Sequence, residues 1–241
     1  MTTPRPHART RRAALSLVIA SAGLISLAGC DPRTLIYFLQ PFDPTIPPPP
    51  GAPDLTGKRV VVVTHAVSGA LGEFQSIDRE ITREVVSIFR ERIKKIDVVN
   101  PDKVWKWLEA HPKWTDQAEI AEAFEADVVV FLEVEGFQIQ NPNDINVFQG
   151  EAKTHILVTE LDYPRNSKGR PIKDQPKESK QIYDEYRDTE FPRRGPIPFD
   201  TGVSRGAFKN RFVKVVAAEI SWHFAEHPTG DDIQDVKFNN N

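Results

Sequence analysis

The only cysteine of the chain, Cys30, closely follows an apolar run that covers residues 13–28. A single thiol provides no disulfide framework and no cysteine-based zinc site, so the fold must rest on a hydrophobic core. The formal net charge is −3, and residues 1–29 carry four arginines and no acidic residue, which leaves about −7 for the rest. This acidic balance argues against nucleic-acid binding, which needs a basic surface.

The segment before Cys30 has the order of a signal peptide: a basic start, an apolar middle and small residues before a cut. Residues 27–30, Leu-Ala-Gly-Cys, resemble a bacterial lipobox. The resemblance implies cleavage before Cys30 and attachment of a lipid (diacylglycerol, with palmitate as the typical fatty acid) to its thiol. We therefore expect a lipid-anchored lipoprotein of the cell envelope that faces the periplasm, on either the inner or the outer membrane. An uncleaved membrane anchor and a plain signal peptide with an incidental cysteine remain alternatives.

The composition divides the chain into five segments. Residues 30–57 are rich in proline, which favours extended polyproline II structure and predicts a tether. Residues 58–228 form the predicted α/β domain, in which the polar and basic residues 163–180 predict a long mobile loop. The acidic and asparagine-rich residues 229–241 predict a disordered tail, and residues 1–29 are the signal peptide.

Within the domain, hydrophobic patterns predict strands and helices that alternate first and then give way to adjacent strands. The β-branched run at 60–63 indicates a buried strand, and the stripe from Ile77 to Ile88 indicates a helix that begins after Ser76. Further strands are expected at 96–99, 127–139, 147–161 and 181–189, and a last helix at 204–227. This order predicts a mixed four- to five-stranded sheet, parallel in its first half and antiparallel in its second, covered by helices.

Three stretches of this pattern resemble the α/β domain shared by the TolB N-terminal domain, CsgG and LpoB. They are residues 59–64 leading into a long helix, residues 96–100 followed by a helix at Pro101, and residues 116–133. In the third stretch a helix ends in Glu-Ala-Asp and runs directly into an apolar strand. The resemblance implies an envelope lipoprotein that works through binding. It brings no catalytic residues.

Two clusters are candidate contacts for a protein partner. Tryptophans at i and i+2 of a helix face different sides, so we expect either Trp105 or Trp107 to be exposed, with Trp114 nearby. The basic loop would supply a positive patch on an acidic domain. Core packing of the tryptophans and simple solvation of the loop are the competing interpretations. The candidate contacts are Trp105, Trp107, Trp114, Lys168, Arg170 and Lys173.

Other motifs predict neither a metal site, a cofactor site nor an active site. Residues 68–72 lack the glycine spacing and the lysine of a phosphate loop. Glu219, His223 and His227 share one predicted helix face, but a core-edge histidine paired with Glu219 is the better interpretation. Glu133 and Glu135 share a strand face, as exposed carboxylates often do. We expect no cofactor, no metal and no enzymatic activity.

These observations favour a non-enzymatic envelope lipoprotein that binds a protein partner in assembly, secretion or regulation of the envelope. The alternative is a lipoprotein that binds a small ligand or a glycan near His65 and the tryptophans. A hydrolase with dispersed catalytic residues is the least favoured of the three.

Overall fold

The computed structural model describes residues 44–67, 74–141, 143–164, 167, 172 and 178–229. The chain divides into two units at Pro44, and the description below concerns the second, which starts at Thr45. Several predictions fall outside the described residues. They are the predicted signal peptide, Cys30, the predicted turn at 68–72, the side chains of Lys168, Arg170 and Lys173 in the predicted basic loop, and the predicted tail after 229. No helix among the described residues is long and apolar enough to span a membrane.

A six-stranded mixed sheet forms the centre of the domain. The strands of the domain are β1 (Thr45–Ile46), β2 (Arg59–Ala66), β3 (Asp97–Val98), β4 (Val128–Asn141), β5 (Asp144–Asp162), β6 (Glu178–Phe191), β7 (Ile197–Pro198) and β8 (His227–Pro228). In the central sheet the order is β3-β2-β4-β5-β6, and β7 pairs with β5. A separate two-stranded sheet pairs β1 with β8.

Strand β2 is parallel to both β3 and β4, whereas β5 is antiparallel to both β4 and β6. The prediction of a mixed α/β sheet with parallel and antiparallel halves is therefore confirmed. The observed sheet has one strand more than the upper predicted number, because the short strand β7 adds to the edge of β5.

Four α-helices are described: α1 (Ile77–Arg92), α2 (Pro101–Ala110), α3 (Gln117–Ala123) and α4 (Arg205–Ser221). Three of them begin at a side chain that accepts a hydrogen bond from a backbone N–H in the first turn, namely Asn100, Asp116 and Ser204. In α1 the buried residues recur at helical spacing along one stripe, which packs on the sheet.

The helices divide the hydrophobic core between the two faces of the sheet. Helices α1 and α4 cover one face of the sheet. In the core between them, Val62, Leu132 and Ile156 of the sheet pack with Phe89 of α1 and Phe212 of α4. Helices α2 and α3 cover only part of the other face, in a smaller cluster around Val61, Val129 and Ile120. One half of this second face therefore carries no described helix.

The last helix is shorter than its sequence pattern predicts. Helix α4 ends at Ser221 rather than His227, because His227 pairs with Ile46 in the β1–β8 sheet. The same pairing corrects the predicted tether, since residues 45–46 are part of the domain and Leu55 is fully buried. The predicted loop at 163–180 is also shorter at its end, because β6 begins at Glu178.

Candidate functional site

A row of polar side chains crosses the uncovered half of the sheet. His65 on β2 is the register partner of Glu133 on β4, Glu133 pairs with His155 on β5, and His155 pairs with Tyr186 on β6. Register partners in a sheet project from the same face, with β-carbons about 5 Å apart. We call these four residues, with their neighbours Glu135, Lys153 and Asp184, the open face. His65 is exposed near the end of β2.

His155 is the most constrained side chain of the open face. Its ring stacks on Tyr186 with a centroid distance of 4.1 Å and an interplanar angle of 4°. Its Nε2 donates a hydrogen bond of 2.6 Å to Oδ1 of Asp184, which also accepts one at Oδ2 from Gln181. A carboxylate only accepts, so Nε2 carries a proton. The other ring nitrogen, Nδ1, lies 4.0 Å from Oε2 of Glu133.

Glu135 joins this row through an irregularity of β4. The register shifts between Val134, which pairs with Thr154, and Gly136, which pairs with Lys153, so Glu135 is an extra residue. Such β-bulges re-aim side chains and are frequent near functional sites. Ligand atoms of Glu133, Glu135 and His155 lie within 4.8 Å of one another.

Lys153 supplies positive charge to the same face. Its Nζ donates a hydrogen bond of 2.9 Å to Oε2 of Glu135 and lies 5.0 Å from the centre of the Tyr186 ring. The hydrogen bond to Glu135 raises the pKa of Lys153, with a further contribution from Asp188. A groove of about 630 Å³ begins beside Lys153 and runs between β4, β5 and β6.

The three tryptophans predicted to contact a partner pack mainly against other residues of the domain. Trp105 is 8 % exposed, and the guanidinium groups of Arg79 and Arg83 lie over its ring. Trp107 and Trp114 are half-buried against the smaller core, where they contact Phe124 and Phe131. The expectation that either Trp105 or Trp107 is exposed is wrong, because Trp105 is buried and Trp107 is half-buried against Phe124.

Glu219, His223 and His227 do not come together. Glu219 is buried and accepts hydrogen bonds from Arg187, Arg193 and Thr189. His223 pairs with the hydroxyl of Tyr183, rather than with Glu219 as predicted, and burial lowers the pKa of His223 to about 4. His227 lies beyond the helix and stacks on Trp222. Three different environments thus replace the single helix face of the prediction.

The sequence pattern indicates Glu133 and Glu135 as a pair on one strand face, but it does not indicate His155, Asp184 and Tyr186 as their neighbours. The three missed residues are far apart in sequence from the two glutamates and meet them only through the antiparallel pairing of β4, β5 and β6. One signal was present. The apolar positions of β4 change from even numbers (Leu132, Val134) to odd numbers (Phe137, Ile139), which reveals the bulge at Glu135.

No model of a known protein family matches the chain, and no curated protein matches it either. Solved structures similar to it include the PelC dodecamer from Paraburkholderia phytofirmans, at 12 % identity and a TM-score of 0.37, covering 77 % of this chain and 99 % of that one. The hypothetical protein CT253 from Chlamydia trachomatis is 14 % identical with a TM-score of 0.37, and the match covers 70 % of this chain and 97 % of that one. Lipoprotein GNA1162 from Neisseria meningitidis is 11 % identical with a TM-score of 0.37, and the match covers 68 % of this chain and 97 % of that one. At these TM-scores the likeness identifies neither a family nor a function for this chain.

Proposed function

We propose that this protein is a bacterial envelope lipoprotein, anchored through Cys30, whose α/β domain binds a protein partner without catalysing a reaction. The anchor is supported by the lipobox-like residues 27–30 at the end of an apolar leader. Binding would serve assembly, secretion or regulation of the envelope from the periplasmic side of a membrane.

One observation carries the binding proposal: half of one sheet face has no described helix over it. The antiparallel part of a sheet often leaves one face in solvent, so what this half presents depends on the side chains that it carries. Here the uncovered positions are not apolar. They carry charged and aromatic side chains, including Tyr186 with 52 % of its surface exposed. An exposed tyrosine is a residue type that often anchors protein interfaces, and the charges around it can give such a contact orientation and specificity.

The edge of the sheet beside this face is also free for contact. Strand β6 is the last strand of the order, and none of the described residues pairs with its outer edge. Such an edge can receive an extended segment of a partner through main-chain hydrogen bonds. Its many charged side chains, among them Asp184, Glu185 and Asp188, oppose indiscriminate pairing with other edges.

The groove between β4, β5 and β6 favours a second candidate, the binding of a small polar ligand or a glycan. Its volume of about 630 Å³ is in the range of ligand sites. The partial burial of Trp107 and Trp114 weakens the glycan form of this alternative, because sugar stacking needs an accessible ring face.

The test places a photo-crosslinking amino acid at Tyr186 in the full chain, expressed in the bacterium that produces it. The matched control carries it at Lys106, an exposed residue of α2. We expect one defined protein adduct at position 186 and none at 106. A second arm with Cys30→Ala should lose both the adduct and the incorporation of labelled palmitate.

The outcomes separate the hypotheses. No adduct at 186, or equal adducts at both positions, contradicts partner binding by this face. Palmitate labelling that persists in Cys30→Ala contradicts the anchor. A thermal shift with cell-wall fragments in the absence of any adduct would favour the small-ligand alternative.

A further inference from the structure

We propose that Glu133, Glu135 and His155 bind a divalent transition-metal ion of the zinc class, with Asp184 as the residue that orients His155. The ligand atoms of the three residues lie within 4.8 Å of one another on the open face. This inference concerns the protein's own chemistry and stands independently of any protein partner.

The state of the imidazole is the first argument. Because Nε2 donates to Asp184 at 2.6 Å, Nδ1 is the ring nitrogen left to bind a metal ion. Metal-binding histidines almost always donate their other ring N–H to a carboxylate, a backbone carbonyl or water, which fixes the ring and raises its basicity. Asp184 provides that partner here, the Tyr186 ring fixes the plane, and the His155 side chain is only 14 % exposed.

The spacing of the atoms is the second argument. Nδ1 of His155 and Oε2 of Glu133 are 4.0 Å apart, too far for a hydrogen bond. Zinc binds nitrogen and oxygen at about 2.0–2.2 Å, so two tetrahedral ligand atoms are about 3.4 Å apart. If Oε2 of Glu133 moves about half an ångström towards Nδ1 of His155, the distance between the two atoms becomes that of two zinc ligands. Rotation about the side-chain bonds of a glutamate allows a movement of this size.

Negative charge is in excess around His155. Glu133, Glu135 and Asp184 place three carboxylates around one imidazole, with the ammonium of Lys153 as the cation beside them. Lys153 binds Oε2 of Glu135 and leaves Oε1 of that carboxylate as a ligand atom. A bound divalent cation would offset the remaining negative charge.

The donor set indicates the class of metal. One imidazole nitrogen and two carboxylates suit zinc and similar transition ions, whereas Ca²⁺ and Mg²⁺ prefer all-oxygen sites. Three protein ligands leave a coordination position for water or for a donor from another molecule.

The test uses the untagged full chain with Cys30→Ala, purified in detergent and freed of metal with a chelator. Removing the thiol excludes Cys30 as a ligand. Zinc binding is measured by competition with a chromophoric chelator, and Co²⁺ substitution reports the ligand field through visible absorption. We expect one ion per chain, with no competition from Ca²⁺ or Mg²⁺ at equal concentration.

Four variants make the result specific to this site. His155→Ala and Glu133→Gln should abolish binding, and Asp184→Asn should weaken it by about 10–100-fold without changing the thermal midpoint of the metal-free protein. Glu151→Gln is the matched control, because Glu151 is an exposed carboxylate on the same face of β5. Should His155→Ala fail to fold, the isosteric Glu133→Gln variant still decides the question. Absence of stoichiometric binding, or equal binding by wild type and Glu133→Gln, overturns the proposal.

Discussion

Gly150 on β5 lies directly against the ring of Phe212 on α4. A β-carbon built on Gly150 would be 2.7 Å from Cγ of Phe212, closer than real β-carbons approach other atoms. Phe212 is fully buried in the larger core, where its ring also contacts Phe137 and Phe191, so a shift of the ring would disturb these contacts. The absence of a side chain at position 150 thus sets how closely α4 packs on the sheet.

Gly150→Ala should therefore lower the free energy of unfolding by about 1–3 kcal/mol through overpacking. The free energy of unfolding is measured by urea denaturation, with circular dichroism as the signal. The control is Gly136→Ala on β4, where an added β-carbon meets nothing within 4 Å. In the double variant with Phe212→Leu, the additional cost of Gly150→Ala should shrink. Equal costs for the two glycines would refute this account of the packing.

Glu219 forms ion pairs with Arg187 and Arg193 beside the larger core. It is 2 % exposed and accepts from Arg187, Arg193 and Thr189 through both of its oxygens. Glu219→Gln keeps the shape but directs an amide N–H₂ towards a donor, so we expect a loss of about 1–3 kcal/mol in unfolding free energy. Glu122→Gln, an exposed change on α3, serves as the control and should stay within about 0.5 kcal/mol of wild type.

Stability should depend on pH through His223. Burial, and then the charge of Arg187, lower its pKa from the usual 6.5 to about 4 in the folded protein. Between these two values the unfolded chain binds a proton that the folded chain does not, so stability falls as pH decreases from 6.5 to 4. Above pH 6.5 the histidine is neutral in both the folded and the unfolded chain, so this loss of stability is absent there.

The His223→Gln variant isolates this effect, because glutamine keeps an acceptor for the hydroxyl of Tyr183 without titrating. Urea midpoints measured from pH 4 to 7 should fall more steeply for wild type than for the variant, by close to one proton taken up on unfolding. Parallel curves for the two proteins would show that His223 does not titrate differently on folding.

Trp105 and Trp107 should differ as structural residues although they are two positions apart. Trp105→Ala removes a buried ring and its contacts with two arginines, with an expected cost of about 3–5 kcal/mol. Trp107→Ala should cost less, because its ring is half-buried. Thermal and urea denaturation of both variants provide the comparison. A greater loss for Trp107→Ala would reverse this assignment.

Much of the fold could be predicted because local signals agree with the tertiary structure. The apolar run in β2 and the stripe in α1 both follow the periods of their elements, and the caps at Asn100 and Asp116 start helices at the expected residues. The end of α4 could not be predicted, because it depends on a long-range pairing. His227 continues the helical pattern in sequence, but its backbone bonds to Ile46 instead.

The open face was not predictable for a similar reason. Its residues come from four strands, and which of them become neighbours depends on register and on the bulge at Glu135. Glu133 and Glu135 alone have the period of ordinary exposed carboxylates. Only the approach of His155, held by Asp184, distinguishes them from such a pair.

The pairing of Thr45–Ile46 with His227–Pro228 brings the entry and the exit of the domain side by side. A sheet with two residues in each strand has few backbone hydrogen bonds, so we expect this closure of the domain to open locally before the central strands, of up to 19 residues, do.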